Sequence, residues 1–214
     1  MEKLRRKPER GRSERADLYD ILDATNVGVL ATVKDGEPWT VPLLYGRVDD
    51  MLVLHGSTGA GALRHVAQGA KASFCVHLMD GVVVADNLFN SSANYRSVVV
   101  RGTLTELPKD TAYDALAVMS DGIIPGRSKE VVTATPKEMA ATLAIGLAIE
   151  DDNWIAKVRT GGPGEPSEDA TAWTGVVPAY TVYGEPEPSE FVPAGTAVPA
   201  SVRALVERGR TLGV

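Results

Sequence analysis

The sequence is short of several things, and each shortage removes a class of protein. It has one cysteine, Cys75, which permits neither an internal disulfide nor a thiolate zinc cluster. Set in the apolar-rich run 72–78, that cysteine reads as a small buried hydrophobe. None of the three histidines, His55, His65 and His77, stands at metal-ligand spacing from a carboxylate, so no metal site is expected. No apolar run approaches the ~20 residues that cross a bilayer, and the N-terminus is too charged for a signal peptide. The expectation is a cytoplasmic protein without a membrane partner. Positive charge is in deficit: 22 Lys and Arg against 28 Asp and Glu leave a net charge of −6. That balance argues against nucleic acid as a partner, because such affinity comes largely from phosphate neutralisation. A nucleophile elbow, a phosphate-binding loop ending in Lys and a dinucleotide fingerprint are all missing.

What remains is the composition of an ordinary globule, long enough at 214 residues for one substantial core. Lys3, Arg5, Arg6, Lys7, Arg10, Arg12 and Arg15 crowd the start, and residues 1–14 read as a flexible basic arm, solvated or partner-binding. Leu18, Ile21 and Leu22 fall on one side of a short helix. Strands follow at 27–33, 39–48 and 51–55, the first two joined as a hairpin through Lys34-Asp35-Gly36-Glu37-Pro38. Pro42 demotes part of the second strand to an edge, or to a place where a ligand replaces the ladder partner. Residues 71–85 read as one bent strand or a tight hairpin. Val98–Val100 belong to the next strand, with Arg96 and Ser97 expected at its start. Asp110 opens a helix, and Thr135-Pro136-Lys137-Glu138 is a capping box that opens another. Residues 142–150 alternate large and small with period two, which argues strand. Further strands are expected at 154–159 and 173–183, then a weak helix at 200–210. This pattern predicts an antiparallel barrel with helical decoration.

The chemistry is thin in acid–base groups, which suits a protein whose cofactor carries the reaction. Gly56-Ser57-Thr58-Gly59-Ala60-Gly61 joins a strand to a helix, a place where free backbone N–H groups can face an anion; an ordinary loop would look the same. Arg96 and Ser97 offer a cation and a hydroxyl on rigid backbone. His55 ends a strand beside the glycine cluster and is the candidate catalytic group. Trp173 offers a broad indole with one donor.

Six motifs then occur in a characteristic order over roughly residues 15–180: Ile21-Leu22, Leu54-His55-Gly56-Ser57, Asp80-Gly81-Val82-Val83-Val84-Ala85, Asn94-Tyr95-Arg96-Ser97-Val98-Val99, Lys157-Val158-Arg159-Thr160-Gly161-Gly162-Pro163 and Trp173-Thr174-Gly175-Val176-Val177-Pro178. In this the chain resembles the FMN-binding split barrels related to pyridoxamine 5′-phosphate oxidase, in the branch that includes nitroimidazole-resistance proteins. The resemblance implies a mainly β fold, an antiparallel six-stranded split β-barrel with peripheral helices that works as a homodimer. It places the FMN-binding domain at residues 15–185, with a helical insertion at about 109–141 and a C-terminal tail at 186–214 carrying a short helix. FMN would lie in a groove between subunits. Its phosphate would be held by Ser57, Thr58 and the amides from Gly59 to Gly61, its ribityl chain or ring by Arg96 and Ser97. The strand backbone at Pro42 and Leu43 would line its isoalloxazine, and Trp173 would reach it from the partner subunit. The chain departs from the family where Gly59-Ala60-Gly61-Ala62 replaces a frequent Arg or Lys. Loss of such a charge-assisted contact costs ~1.5–3 kcal/mol, which Arg64, one turn later, would partly restore. The implied function is an FMN-dependent oxidoreductase passing hydride or electrons to a small organic substrate. The alternative is a non-catalytic dimer holding haem, a deazaflavin or no cofactor.

Overall fold

The computed structural model describes residues 6–211, so Lys3 and Arg5 of the basic arm lie outside the described residues. The hairpin that starts the sheet joins β2 (Val27–Lys34) to β3 (Glu37–Val48). Asp35 and Gly36 between them both have positive φ, 54° and 84°. That is the tight turn whose twist matches paired strands, and Asp-Gly is a sequence that tolerates it. Next come β4 (Met51–Ser57), β5 (Lys71–Val84) and β6 (Ser92–Thr103). They are followed by β7 (Thr105–Glu106), β8 (Thr142–Ala148), β9 (Trp154–Arg159) and β10 (Gly175–Pro178). A two-residue strand, β1 (Gly11–Arg12), precedes them all. Every pairing is antiparallel, in the order β1-β9-β6-β5-β2-β3-β4-β8-β7, with β10 on the far half of β5. Without the two- to four-residue additions β1, β7 and β10, seven long strands remain among the described residues, where the resemblance implies six.

The sheet rolls up because alternate residues must leave water. Leu30, Phe74, Val76, Val98, Val100 and Ala156 from one half meet Leu52, Leu54, Ile145 and Leu147 from the other in a single core. At the seam, a Cβ on Gly102 of β6 would lie 2.9 Å from Leu147 Cδ1 of β8, so only glycine permits the two halves to approach this closely. Helix α1 (Arg15–Asp23) plugs the core with Leu18, Ile21 and Leu22. The barrel is split at β3: β4 pairs only with Tyr45–Val48, leaving Glu37–Leu44 with β2 alone. Pro42 sits on that one-sided half, where its missing N–H costs no ladder bond.

Four further helices decorate the barrel: α2 (Gly61–Ala67), α3 (Lys109–Ile123), α4 (Pro136–Ala141) and α5 (Ala200–Thr211). The capping box at Thr135 and Glu138 is formed as the sequence predicts. Helix α3 covers the face of β3, β4 and β8 opposite the main core, with Ala112, Ala115 and Met119 on Val53 and Ala144. The tail docks on this insertion: Ser201 Oγ donates to Glu130 at 2.5 Å, and Arg208 to the carbonyl of Gly122 at 2.9 Å. No helix among the described residues is long and apolar enough to cross a membrane.

Of the two readings of residues 71–85, the bent strand holds: they form one strand, Lys71–Val84, bent by a bulge between Met79 and Gly81. Two other expectations change. The strand expected at 173–183 holds only for Gly175–Pro178, because β5 offers it a partner only over Gly81–Val84. The basic arm is not free along its length. Pro8–Arg10 make a 3-10 turn, and Gly11 and Arg12 pair with Lys157 and Ala156, covering the edge of β9. An unpaired edge is a template for other chains, and such a cover removes it.

Candidate functional site

Strand alternation that fills the core also fixes what faces outward. Across β3, β2 and β5 the outward residues include Pro42 and Leu44, Val27 and Val29, then Cys75, His77 and Met79. Val27 is 52% exposed, Leu44 47% and Met79 53%. β6 extends this platform with Ser97, which pairs with His77 on one side and Lys157 on the other. A flat apolar sheet face of this kind needs a cover. Cys75 lies half-buried within it, and burial pushes its thiol above the ordinary value.

The loop from β4 to α2 holds Ser57, Thr58, Gly59, Gly61 and Arg64 together. Its Thr58, Gly59 and Ala60 amides are engaged inside the chain. Thr58 N–H donates to the Ala141 carbonyl at 3.1 Å, Ala60 N–H to the Ser57 carbonyl at 2.8 Å, and Gly59 N–H to Ser57 Oγ at 3.2 Å. Thr58 and Gly59 therefore do not present free donors to a phosphate, contrary to the expectation for this loop. Arg64 is exposed on α2. The Trp39 ring lies beside Gly61 and carries Lys34 Nζ 4.8 Å from its centroid, so Lys34 brings a cation to this end of the molecule that the sequence reading did not single out.

His55 pairs with Ala144 across the β4–β8 ladder, on the Val53 side of the strand. Its Nδ1 is buried and has no hydrogen-bond partner. Burial pulls its pKa below the ordinary histidine value, which favours the neutral imidazole. Leaving such a nitrogen unpaired typically costs about 1–3 kcal/mol, so a group supplied from outside the chain would stabilise it. The indole Nε1 of Trp154 is the other such atom among the described residues.

Arg96 and Ser97 are in the interior of β6, not at its start, and neighbours on a strand point to opposite faces. Ser97 joins the outward platform. Arg96 pairs with Leu78 and Val158, both packed against the core, and its guanidinium is taken by Asp80. Nε reaches the two carboxylate oxygens at 3.2 and 3.0 Å, and Nη2 reaches one at 2.8 Å. The two residues therefore cannot hold one ligand together in the way the resemblance implies. Trp173 is 65% exposed and folds over Gly175 at the start of β10. β6 lies three strands from β3 in the sheet, about 14 Å at ordinary strand spacing. Pro42 on the platform is thus separated from Ser97 and Trp173 by β2 and β5, while its strand neighbour Leu43 packs against the core.

Sequence reasoning did not anticipate a cavity on the outer face of the sheet. It has a volume of about 500 Å³ and lies at the outward end of β2, β5 and β6, where Thr32, Val33, Lys71, Ser73, Arg101 and Gly102 line it. A smaller cavity of about 150 Å³ continues past Arg101 to Asp152, Asn153 and Trp154. The register of β5 on β6 was the missing signal, since it is what places Lys71 and Arg101 beside each other.

This geometry, an antiparallel split barrel with a one-sided third strand and an uncovered outer face, is that of the split-barrel class. The sequence model of the pyridoxamine 5′-phosphate oxidase family matches residues 14–154, and the chain belongs to that family. Among solved structures, it is 45% identical to the FAD and heme binding protein from Mycobacterium smegmatis, with a TM-score of 0.90, covering 92% of this chain and 97% of that one. It is 27% identical to the flavocytochrome Anf3 from Azotobacter vinelandii, with a TM-score of 0.86 and 94% of both chains covered. A putative 5-nitroimidazole antibiotic resistance protein from Bacteroides thetaiotaomicron shares the fold at 15% identity, with a TM-score of 0.59 over 69% of this chain and 86% of that one. No curated protein matches the chain.

Proposed function

We propose that this chain is a flavin-binding split-barrel oxidoreductase that works as a homodimer, with FAD rather than FMN as its flavin. When bound, the flavin supplies electron transfer to a small organic substrate; the protein binds it, orients it and keeps water from it. The observation that carries the choice of FAD is the β4–α2 loop. Its Thr58, Gly59 and Ala60 amides are engaged within the chain, and no Arg or Lys stands at 59–62. A mononucleotide depends on a single phosphate anchor, whereas a dinucleotide spreads its contacts over a second phosphate and an adenosine. The relative at 45% identity, described as binding FAD and heme, supports the same choice. Dimerisation is supported by the exposed apolar platform, and by the separation of Pro42 from Trp173, which a second copy would bring to one crevice.

A second reading adds a haem, and His55 favours it. A neutral imidazole is the form that ligates iron, and the unpartnered Nδ1 marks this side chain as lacking a partner that the chain itself does not provide. One experiment addresses both readings. The protein is purified without added cofactor, its visible spectrum is recorded, and the pigment released on denaturation is identified by chromatography. Bound FAD is expected, with a Soret band if the haem reading holds. FMN as the released flavin would overturn the FAD assignment, and colourless protein that ignores added FAD would overturn the flavin reading.

A further inference from the structure

We infer that the turn carrying Leu88 and Phe89 is the arm of the homodimer, and that it seats in the outer-face cavity of a second copy of this chain. The inference rests on the dimer reading above and names what each copy contributes to the other. Leu88 and Phe89 are each 95% exposed, more than any other large apolar side chain among the described residues. Two adjacent apolar side chains held in water mark an interaction site. The turn beneath them is fixed. Asn87 Oδ1 accepts from the Asn90 N–H at 2.9 Å, and the Asn87 carbonyl accepts from Ser91 Oγ at 3.0 Å. Ser91 Oγ also accepts from the Ala85 N–H at 3.1 Å, and the Asp86 carboxylate takes the Ser167 N–H and hydroxyl at 3.0 and 2.9 Å. A backbone already held in one shape loses little freedom when it docks.

Continuity and area point to a second copy as the occupant. Beyond the bulge, Val82 of β5 pairs with Val177 of β10, and both are exposed, as Met79 is before it. The apolar platform therefore extends to the foot of the turn. A covered phenylalanine buries about 150–250 Å²; with Leu88 and these platform side chains, that reaches the scale of the roughly 800 Å² per partner in a stable dimer. Symmetry then selects the seat. The cavity lies at the start of β5, beside the row Ala31–Ser73, and the turn follows its end. Ser73 and Ala85 each stand six residues from Met79. A two-fold axis that crosses β5 near Met79, between two facing platforms, lays the turn of each copy over the cavity of the other.

The seat has room for a ring. Its volume is about 500 Å³, where roughly 150 Å³ accepts benzene. Ala31 and the exposed Val33 give it apolar walls, and the Lys71 stem adds methylenes. The Thr32 hydroxyl is already engaged, donating to the Lys71 carbonyl at 2.8 Å. Lys71 is opposite in sign to Asp86, the one charged residue in 85–91.

The test measures self-association of the full chain by sedimentation. Leu88→Asp and Phe89→Asp should each raise the dimer dissociation constant roughly thirtyfold or more, the loss expected for a buried anchor. Val132→Asp, at a side chain 94% exposed on the insertion, should leave it unchanged; an equal shift there would overturn the assignment to the turn. The seat is tested by cross-linking in a Cys75→Ser background. Val33→Cys with Phe89→Cys should give a disulfide-linked dimer on mild oxidation, and neither single variant should. A dimer linked through Phe89→Cys alone would put the two turns together and overturn the cavity as the seat, as would no cross-link in the double variant. A wild-type dimer that neither Asp variant on the turn weakens would overturn the inference and leave the dimer reading intact. A monomeric wild type would overturn the dimer reading itself.

Discussion

Replacing Tyr45 by phenylalanine removes one oxygen atom from the place where helix and barrel are joined. Tyr45 lies on β3, is 1% exposed, and donates its hydroxyl hydrogen bond to the Leu22 carbonyl at 2.5 Å. That carbonyl is in the last turn of α1, among the acceptors a helix cannot satisfy by itself. The ring meets Phe74 edge-on at 5.0 Å, so a phenylalanine ring at this position would keep the packing and lose only the polar bond. A buried carbonyl left without its donor should cost about 1–2 kcal/mol, which lowers Tm by roughly 2–8 °C in a domain of this size. The same residue carries an alkaline signature. Burial raises the folded-state pKa of Tyr45 well above 10, the value of a free tyrosine, with Asp23 adding to the rise. Between the unfolded value of about 10 and the raised folded value, the unfolded chain binds fewer protons than the folded one. Stability therefore falls as pH rises, by up to roughly 1.4 kcal/mol per pH unit. The wild type should show this fall above pH 10 and Tyr45→Phe should not, so the gap between them narrows as pH rises. Tyr95, whose pKa is lowered in the fold, is common to both proteins and cancels. Urea unfolding at pH 7 and in steps from 9 to 11 measures the difference. Parallel curves across pH 9–11, or a loss below 0.5 kcal/mol at pH 7, would refute the reasoning.

The platform and the Arg96 pair give two further tests. Met79→Glu puts a charge on the exposed apolar face; sedimentation should report a monomer and the flavin should dissociate, whereas an intact dimer would remove this face from the interface. Arg96→Met should lower stability by about 1 kcal/mol or less, the range of a partly exposed ion pair, and change flavin affinity less than threefold. Asp80→Asn should cost a similar amount, with the double variant less than additive. A tenfold loss of flavin affinity in Arg96→Met would return that cation to the cofactor.

Most of the barrel was legible because its signals are local. Asp35-Gly36 dictates a hairpin, Pro42 marks a strand with one free side, and the Thr135–Glu138 box starts a helix whatever surrounds it. The site was less legible because its signals are relational. Arg96 and Ser97 stand together in the sequence, yet strand alternation sends them to opposite faces, and the partner that decides the role of Arg96 is Asp80, sixteen positions away across a ladder. Lys71 and Arg101 lie thirty positions apart and line one cavity only because β5 and β6 pair in this register. The bulge between Met79 and Gly81 is equally invisible in composition. It reverses the alternation of β5, so that Phe74 and Val76 face the core before it and Val83 after it. Recognition of the family supplied the fold but not these pairings.

The split at β3 connects the fold to the chemistry. A closed barrel would bury both sides of that strand and leave nothing for a flat cofactor to lie along. Here β4 diverges after pairing with Tyr45, and the residues before it keep one open side while β2 fixes them from the other. Pro42 stabilises that state, since a strand with proline there makes a poor partner for another β-strand. The open half therefore resists pairing through hydrogen bonds and is left to contacts through its faces, where Leu44 and Val27 are apolar and exposed. A planar aromatic ring asks for that kind of surface, and a second copy covering the same platform would exclude water from it. In this chain the element that weakens the barrel as a sheet is also the one that leaves an open apolar surface of the kind the proposed flavin would need.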